Sequence, residues 1–422
     1  MRIAYVANYQ GPDLVKSRPC LHNFSLAARV KIQLIADLLR RSSHEVDIIS
    51  QGALEPLVGA DRFRFKFYPG FAESERFHPD IPIDYVSALS VKYLIGFWES
   101  FQTVRLLAAR HRRAPYDAVI LYNMQAGQVG CARYAQRLGL PVVLEYEDDS
   151  FVDVHGRSSN ELIANFHLRA RRRLLKSISG GTAVSPYLLA QMPPDIPKIL
   201  LRGMVSHEIL KSSQGSRASK KNWVVFSGTH EGTQGLEQMI KAWHMLDLPG
   251  WELHIAGQGP ITATLEKMAQ GKPDIVFHGL LNREENARMI CAAKIGMNPQ
   301  DLTRTPGNVF PFKIVEYLAA ATHVITTPRG ALERELEAGV TYIADNAPET
   351  IAASLKRVIE ERGYERTAEQ AAVRTYGPDA ISKSLNELLE QVTGKRQSES
   401  QARLATASGV RPTTSTSTGA AL

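Results

Sequence analysis

Lys313 and Glu316 are the pair of ionisable residues whose spacing best suits chemistry. They lie within residues 306–321 (PGNVFPFKIVEYLAAA), where the sequence predicts a helix starting near Pro311, with Gly307 and Asn308 just ahead of it. Proline suits a first helical turn, and asparagine suits the cap. Three residues apart, Lys313 and Glu316 share nearly one face. A helix N-terminus plus an ammonium can hold a diphosphate, and a carboxylate can accept two ribose hydroxyls. As a surface pair they would contribute only ~0.3 kcal/mol. Against that reading, Tyr317, Leu318 and the alanines after them predict a buried helix, in which a lone carboxylate is costly.

Three other segments carry candidate groups. Residues 226–236 (FSGTHEGTQGL) form a glycine-rich turn between a predicted strand and helix. There Gly228, Thr229 and Gln234 can meet an anion through backbone and side-chain donors. Gly257 opens a similar turn (GQGP). Strand-to-helix turns are also glycine-rich for steric reasons alone, so both readings stand. Residues 145–149 (EYEDD) follow a strand, which puts Asp148 or Asp149 where it can orient or deprotonate an acceptor hydroxyl. The alternative is an exposed loop that caps the next helix.

The elements that must position these groups alternate. Short apolar strands at residues 2–7, 45–50, 117–121 and 141–146 are separated by helices of a dozen residues or more. Such spacing requires parallel strands with crossover helices. Residues 206–221 (SHEILKSSQGSRASKK) are small and polar and read as a linker, after which the alternation restarts at residue 223. The expectation is an α/β chain of two doubly wound, Rossmann-like domains, 1–205 and 222–375. A helix over 376–393 packs back towards the first domain, and a disordered tail covers 394–422. Ligands of such sheets bind beyond the carboxyl ends of the strands, so a cleft between two facing edges suits a phosphorylated donor on one wall and an acceptor on the other.

Composition narrows the class. At 422 residues, with 44% hydrophobic and 22% charged residues, the chain is neither fibrous nor disordered, and it is long enough for two or three cores. Its 3 cysteines are far apart and suggest neither a disulfide framework nor a zinc site. No apolar run approaches the ~20 residues of a membrane span, and residues 1–10 read as a strand, not as a signal peptide. The expected location is therefore the cytoplasm. The net charge of +7 concentrates at residues 105–113 (RLLAARHRR) and 169–176 (RARRRLLK), two helices with basic faces. Each is either solvated or suited to an anionic membrane surface, which would place the protein peripherally on the inner face of the membrane. No nucleic-acid-reading pattern is present, so no nucleic-acid partner is expected.

From residue 223 to about 360 the sequence resembles the nucleotide-sugar-binding half of family 4 glycosyltransferases with the GT-B fold. The order of features matches: the glycine-rich turn, the Gly257–Gly259 turn, FHG at 277–279, and PFKIVEYLA at 311–319, which resembles the P-x-K-x-x-E-Y-L-A form of the E-x7-E signature. The first half resembles the acceptor domain more loosely. The resemblance implies a retaining glycosyltransferase that uses a UDP- or GDP-linked nucleotide sugar as co-substrate, with no metal and no other cofactor. Its acceptor would be a glycan, a lipid-linked sugar or a small molecule. It also implies that Glu316 holds the nucleotide ribose, that Asn308 stands where the donor-sugar glutamate usually is, and that Gly11 approaches the donor phosphate. The family's phosphate-binding arginine and lysine fall at Thr229 and Gln234, so both cations are missing and Lys313 becomes their expected substitute. The catalytic histidine of the acceptor half is replaced by Tyr122–Asn123, which leaves Asn123, Asp148 and Asp149 as the catalytic candidates. Alternative readings are a non-catalytic nucleotide-sugar-binding or scaffold relative, and another GT-B enzyme such as a sugar-nucleotide epimerase.

Overall fold

Runs such as AVILY (β7, Ala118–Tyr122) and VVLEY (β8, Val142–Tyr146) are buried at every position, the pattern of strands covered on both faces. The computed structural model describes residues 1–18, 26–51, 66–91, 94–148, 161–216, 220–301, 303, 311–328, 337–361 and 366–407. Two sheets organise them. The first adds β1 (Arg2–Ala7), β2 (Glu45–Ser50), β4 (Phe71–Ala72), β5 (Ile83–Tyr85), β9 (Gly180–Ala183) and β10 (Lys198–Leu200), in the order β10-β9-β8-β7-β1-β2-β5-β4. All neighbours in it are parallel except β4 on β5. A short antiparallel ribbon, β3 (Phe67–Tyr68) with β6 (Ala88–Leu89), stands beside it.

The second sheet contains β11 (Lys221–Ser227), β12 (Glu252–Ala256), β13 (Ile275–Gly279), β14 (Ala293–Asn298), β15 (His323–Thr326) and β16 (Val340–Tyr342). It is parallel throughout, in the order β13-β12-β11-β14-β15-β16. Helices with apolar faces cover both sides. Leu236–His244, for example, buries Leu236, Met239, Ile240 and Trp243 at helical spacing. In each sheet the strand order turns back beside the domain's first strand: β1 lies between β2 and β7, and β11 between β12 and β14. Loops leave in opposite directions at such a point, which opens a crevice at the carboxyl edge.

Two expectations are corrected. Residues 206–221 are not an extended linker. Met204 packs in the core of the first domain and Val205 in that of the second, so the boundary falls between adjacent residues. The helix His207–Ser216 follows at once and buries Ile209 in the second core. Its polar composition concealed Ile209 and the partly buried Leu210 beside it. The last helix also runs further than expected, over Pro378–Ala407. Residues 394–407 (GKRQSESQARLATA) have Leu404 as their one large apolar side chain but are rich in helix formers and contain no proline; residues 408–422 lie outside the described set.

The last helix returns to the first domain. Ile381, Leu385, Leu388, Leu389 and Val392 join the core built around Ile3, Tyr5 and Leu38. The Ser382 and Ser42 hydroxyls meet at 2.7 Å, and Asn386 Oδ1 lies 2.9 Å from His44 Nε2. Leu388 is 2% exposed. Leu388→Ala should lower the unfolding free energy by about 2–5 kcal/mol, read as a lower urea midpoint; an unchanged midpoint would mean that the helix does not belong to this core.

Candidate functional site

Between the carboxyl edges of the two sheets lies a cavity of about 690 Å³. Its walls come from residues just past strand ends: Asn8, Asn123 and Glu147 after β1, β7 and β8, and Gly228, Gly257 and Gln300 after β11, β12 and β14. Both crevices thus open into one space.

The wall of the second domain centres on the helix Phe312–Ala319. Ile314, Val315, Tyr317 and Leu318 face the core, which leaves Lys313 and Glu316 half-buried on the cavity. Among the described residues no side chain caps the helix N-terminus. Lys313 Nζ donates to Gln234 Oε1 at 3.0 Å and lies 4.0 Å from the centroid of the Phe226 ring. Among the described residues it has no carboxylate within ion-pair distance. Burial pushes its ammonium down to about 7, against a smaller opposing pull from Glu316. Burial pushes Glu316 up to about 7, with Arg283 as the main opposing influence.

Glycine is required beside this lysine. Gly228 has φ 156°, and a Cβ there would come within 2.9 Å of Lys313 Nζ. Gly257 has φ 128°, and a Cβ on it would sit 1.9 Å from the Gly228 carbonyl oxygen. The steric and functional readings of these glycines coincide, because the close packing is what brings the turn against the ammonium. Thr229 and Gln234 both line the cavity. Gln234, at the lysine position of the usual pattern, accepts from Lys313 and also from Gln300 Nε2 at 3.1 Å.

The wall of the first domain holds Asn123 and Asp148. Asn123 has φ 62°, a left-handed conformation that asparagine tolerates. Its Oδ1 accepts from the Glu147 and Asp148 amides at 2.8 and 3.1 Å, and its Nδ2 donates to Asp148 Oδ2 at 3.1 Å. The side chain therefore clamps the turn after β8, which leaves one Nδ2 hydrogen outside these bonds. Asp148 stands exposed at the cavity rim. Gly11 is not brought to the cavity: its amide donates to the Tyr85 hydroxyl at 3.0 Å, and a Cβ there would strike the Glu73 carboxylate. Asp149, Gly307 and Asn308 lie outside the described residues.

Three groups lining the cavity were not singled out as site residues from the sequence. Arg283 contributes a second cation; its Nη2 is buried without a hydrogen-bond partner among the described residues, and its Nη1 lies 3.8 Å from Glu208. The signal available was Asn282-x-x-Glu285, a capping box that fixes Arg283 in the first turn of Arg283–Ala292. On the first-domain side, Lys31 from the helix Leu26–Arg41 donates to Glu147. A lysine beside the apolar positions Val30 and Leu34 was the clue to it.

Two family models match most of this architecture: "Glycosyl transferase 4-like domain" over residues 27–194 and "Glycosyl transferases group 1" over 209–377. The chain belongs to the GT-B glycosyltransferases of family 4. Within that family, 123 residues are 32% identical to a GDP-mannose-dependent alpha-(1-6)-phosphatidylinositol dimannoside mannosyltransferase of Mycobacterium tuberculosis; the match covers 28% of this chain and 31% of that relative's length. Among solved structures, sucrose-phosphate synthase from Thermosynechococcus elongatus superposes with a TM-score of 0.66 at 15% identity, covering 94% of this chain and 100% of the other. HepE from Anabaena, in complex with UDP, gives 0.61 at 15%, covering 92% and 100%. UDP-GlcNAc 2-epimerase from Neisseria meningitidis gives 0.54 at 12%, covering 92% and 99%. These structures share the fold, and the family models separate the glycosyltransferases from the epimerase reading.

The clamp makes a prediction for this family 4 chain. Asn123→Ala removes two accepted amide bonds and puts a less tolerant residue at positive φ, so stability should fall by about 1–3 kcal/mol, measured by denaturant titration. Full stability with lost activity would instead restore a directly catalytic asparagine.

Proposed function

We propose that this chain transfers a sugar, with retention at its anomeric carbon, from a UDP- or GDP-linked donor to a hydroxyl of a glycan, lipid-linked or small-molecule acceptor. The observation that carries this reading is Lys313, an ammonium held at a helix N-terminus and facing a cavity, with an amide oxygen and a phenyl ring as its neighbours. As the donor C1–O bond breaks, the nucleoside diphosphate gains negative charge. Preorganised cations and N–H groups stabilise that charge, and one lost donor of this kind costs ~3 kcal/mol. The reading assigns Lys313, Arg283, the Gly228–Thr229 turn and the helix N-terminus to the diphosphate. Gln234 holds the lysine in place, Glu316 takes the ribose hydroxyls, Gly257 admits the backbone approach, and Asp148 lies on the acceptor side. The relatives' donors, GDP-mannose by name in one and UDP in the HepE complex, make both nucleotides the first to test.

Thermal stabilisation by UDP-, GDP- and ADP-sugars, followed by slow hydrolysis of the donors that bind, tests the assignment. Lys313→Met should weaken donor binding about tenfold or more and slow cleavage ~100-fold. Cleavage at the wild-type rate in this variant would overturn the role of Lys313, and a bound donor that is never cleaved would identify a binding subunit. Affinity should peak near neutral pH. Above about 7 the free lysine loses its proton, and binding the diphosphate must restore it. Below about 7 the free Glu316 gains one and accepts hydroxyls less well. Lys313→Met should flatten the alkaline limb and leave the acid limb intact.

The same proposal places the protein at an anionic membrane face. No helix among the described residues is long and apolar enough to cross a membrane. Two neighbouring helices carry exposed rings above exposed arginines. Phe97 and Phe101, 56% and 61% exposed, share a face of Ile95–Arg113 with Arg105 and Arg112. Phe166, 52% exposed, precedes Arg169 and Arg172 on Glu161–Leu175. Rings that enter the headgroup boundary while arginines meet anionic lipid form an interfacial surface. The wild type should co-sediment with phosphatidylglycerol-containing vesicles in a salt-sensitive way, and Phe97→Ser/Phe101→Ser should lose that binding and keep donor affinity. Equal binding to vesicles of pure phosphatidylcholine would remove the electrostatic part.

A further inference from the structure

The first-domain wall of the cavity is built around two buried carboxylates and one cation. Lys31 Nζ donates to Glu147 and lies 3.9 Å from Glu145 Oε1, and the buried Tyr5 hydroxyl donates to Glu145 Oε2. Lys31 and Glu145 are buried, and Glu147 is 9% exposed. Burial raises both carboxyls against the pull of Lys31. Of the three, Lys31 and Glu147 line the cavity, whereas Glu145 lies beneath them. Only one carboxylate oxygen of Glu147 is hydrogen-bonded within the described residues, which leaves the other for whatever enters. Asn123 fixes the Glu147 amide at 2.8 Å, so the backbone that carries this side chain is clamped as well.

We infer that Glu147, aimed by Lys31 and by the Asn123 clamp, binds a hydroxyl of the acceptor and makes this wall a site for a polyhydroxy group. The inference deepens the glycosyl-transfer reading and rests on it. Its chemistry follows from the lining of the wall, where the acids Glu147 and Asp148 stand with the cations Lys31 and Arg202. The open carboxyl oxygen of Glu147 accepts an O–H hydrogen bond well. The remaining first-domain lining includes Asn8, Gln10 and Gln125, neutral amides that both donate to and accept from hydroxyls. Glu147 belongs to the same EYEDD segment as Asp148, but it is the member that is nine-tenths buried and held.

The test is calorimetric titration of the full chain saturated with UDP or GDP, whichever binds. The probes are the methyl α-glycosides of glucose, mannose and N-acetylglucosamine, of which at least one should bind. Glu147→Gln should weaken the bound glycoside tenfold or more while nucleotide affinity stays within twofold, which also certifies its fold. Glu147→Asp, which keeps the carboxyl group, should recover part of the loss. No glycoside binding by the nucleotide-loaded wild type, or unchanged glycoside affinity in Glu147→Gln, would overturn the inference. So would loss of nucleotide affinity in Glu147→Gln, because the residue would then be a structural support. A wild type that binds neither nucleotide fails before any glycoside is added; that result removes the donor reading itself and takes this inference with it.

Discussion

An ammonium withdrawn from water is expensive unless an anion or a set of acceptors replaces the solvent, and Lys313 has neither in full. Its neighbours are one amide oxygen and the face of Phe226. The amide orients the charge without cancelling it, and a ring quadrupole offsets ~2 kcal/mol at most. The residual cost is why its proton is held loosely, and it would be relieved by an anionic ligand. The rest of the second domain serves this arrangement. Gly228 lets the turn approach, Gly257 packs on Gly228, and Tyr317 Oη accepts the Ser227 amide at 2.9 Å, so the turn is pinned from below.

This arrangement also accounts for the departures from the common family pattern. A lysine at position 234 would put two ammonium groups against each other in one half-buried corner, where like charges repel strongly. Glutamine there turns repulsion into a hydrogen bond. On the proposed reading, the cation absent from position 229 has a counterpart in Arg283, which reaches the cavity from the first turn of Arg283–Ala292 with a buried Nη2 that has no hydrogen-bond partner among the described residues. The number of positive groups is preserved while their positions on the chain change.

What was legible in the sequence was what local pattern determines. Strand–helix alternation, the paired α/β domains and the glycine-rich turns follow from spacing and composition, and Lys313 with Glu316 could be placed on one helical face by counting. What escaped depends on contacts between distant residues. Lys31 meets Glu147 across 116 positions. No window around either residue shows that one ammonium is shared between two carboxylates. Asn123 looked like a substitute for a histidine because its position is at the cleft, but its side chain is occupied by the turn after β8. The segment after residue 205 looked like a linker because polar residues outnumber apolar ones there; Ile209, with Leu210 beside it, anchors it, and two adjacent apolar residues do not register in an average.

The two walls are coupled through a narrow waist. The chain crosses between domains between Met204 and Val205, and crosses back between Tyr376, in the second core, and Ile381, in the first. These passages lie side by side, tied by the Val205 amide donating to the Tyr376 carbonyl at 2.7 Å. Each wall therefore takes its internal geometry from its own sheet, and the spacing between the walls is set by the waist together with the return of the final helix onto the first domain. A substitution at Leu385 or Leu389 can thus alter the cavity without touching it. The cavity is a property of how two independent sheet edges are held face to face, and each wall carries both signs: Lys31 with Glu147 on one, Lys313 and Arg283 with Glu316 on the other.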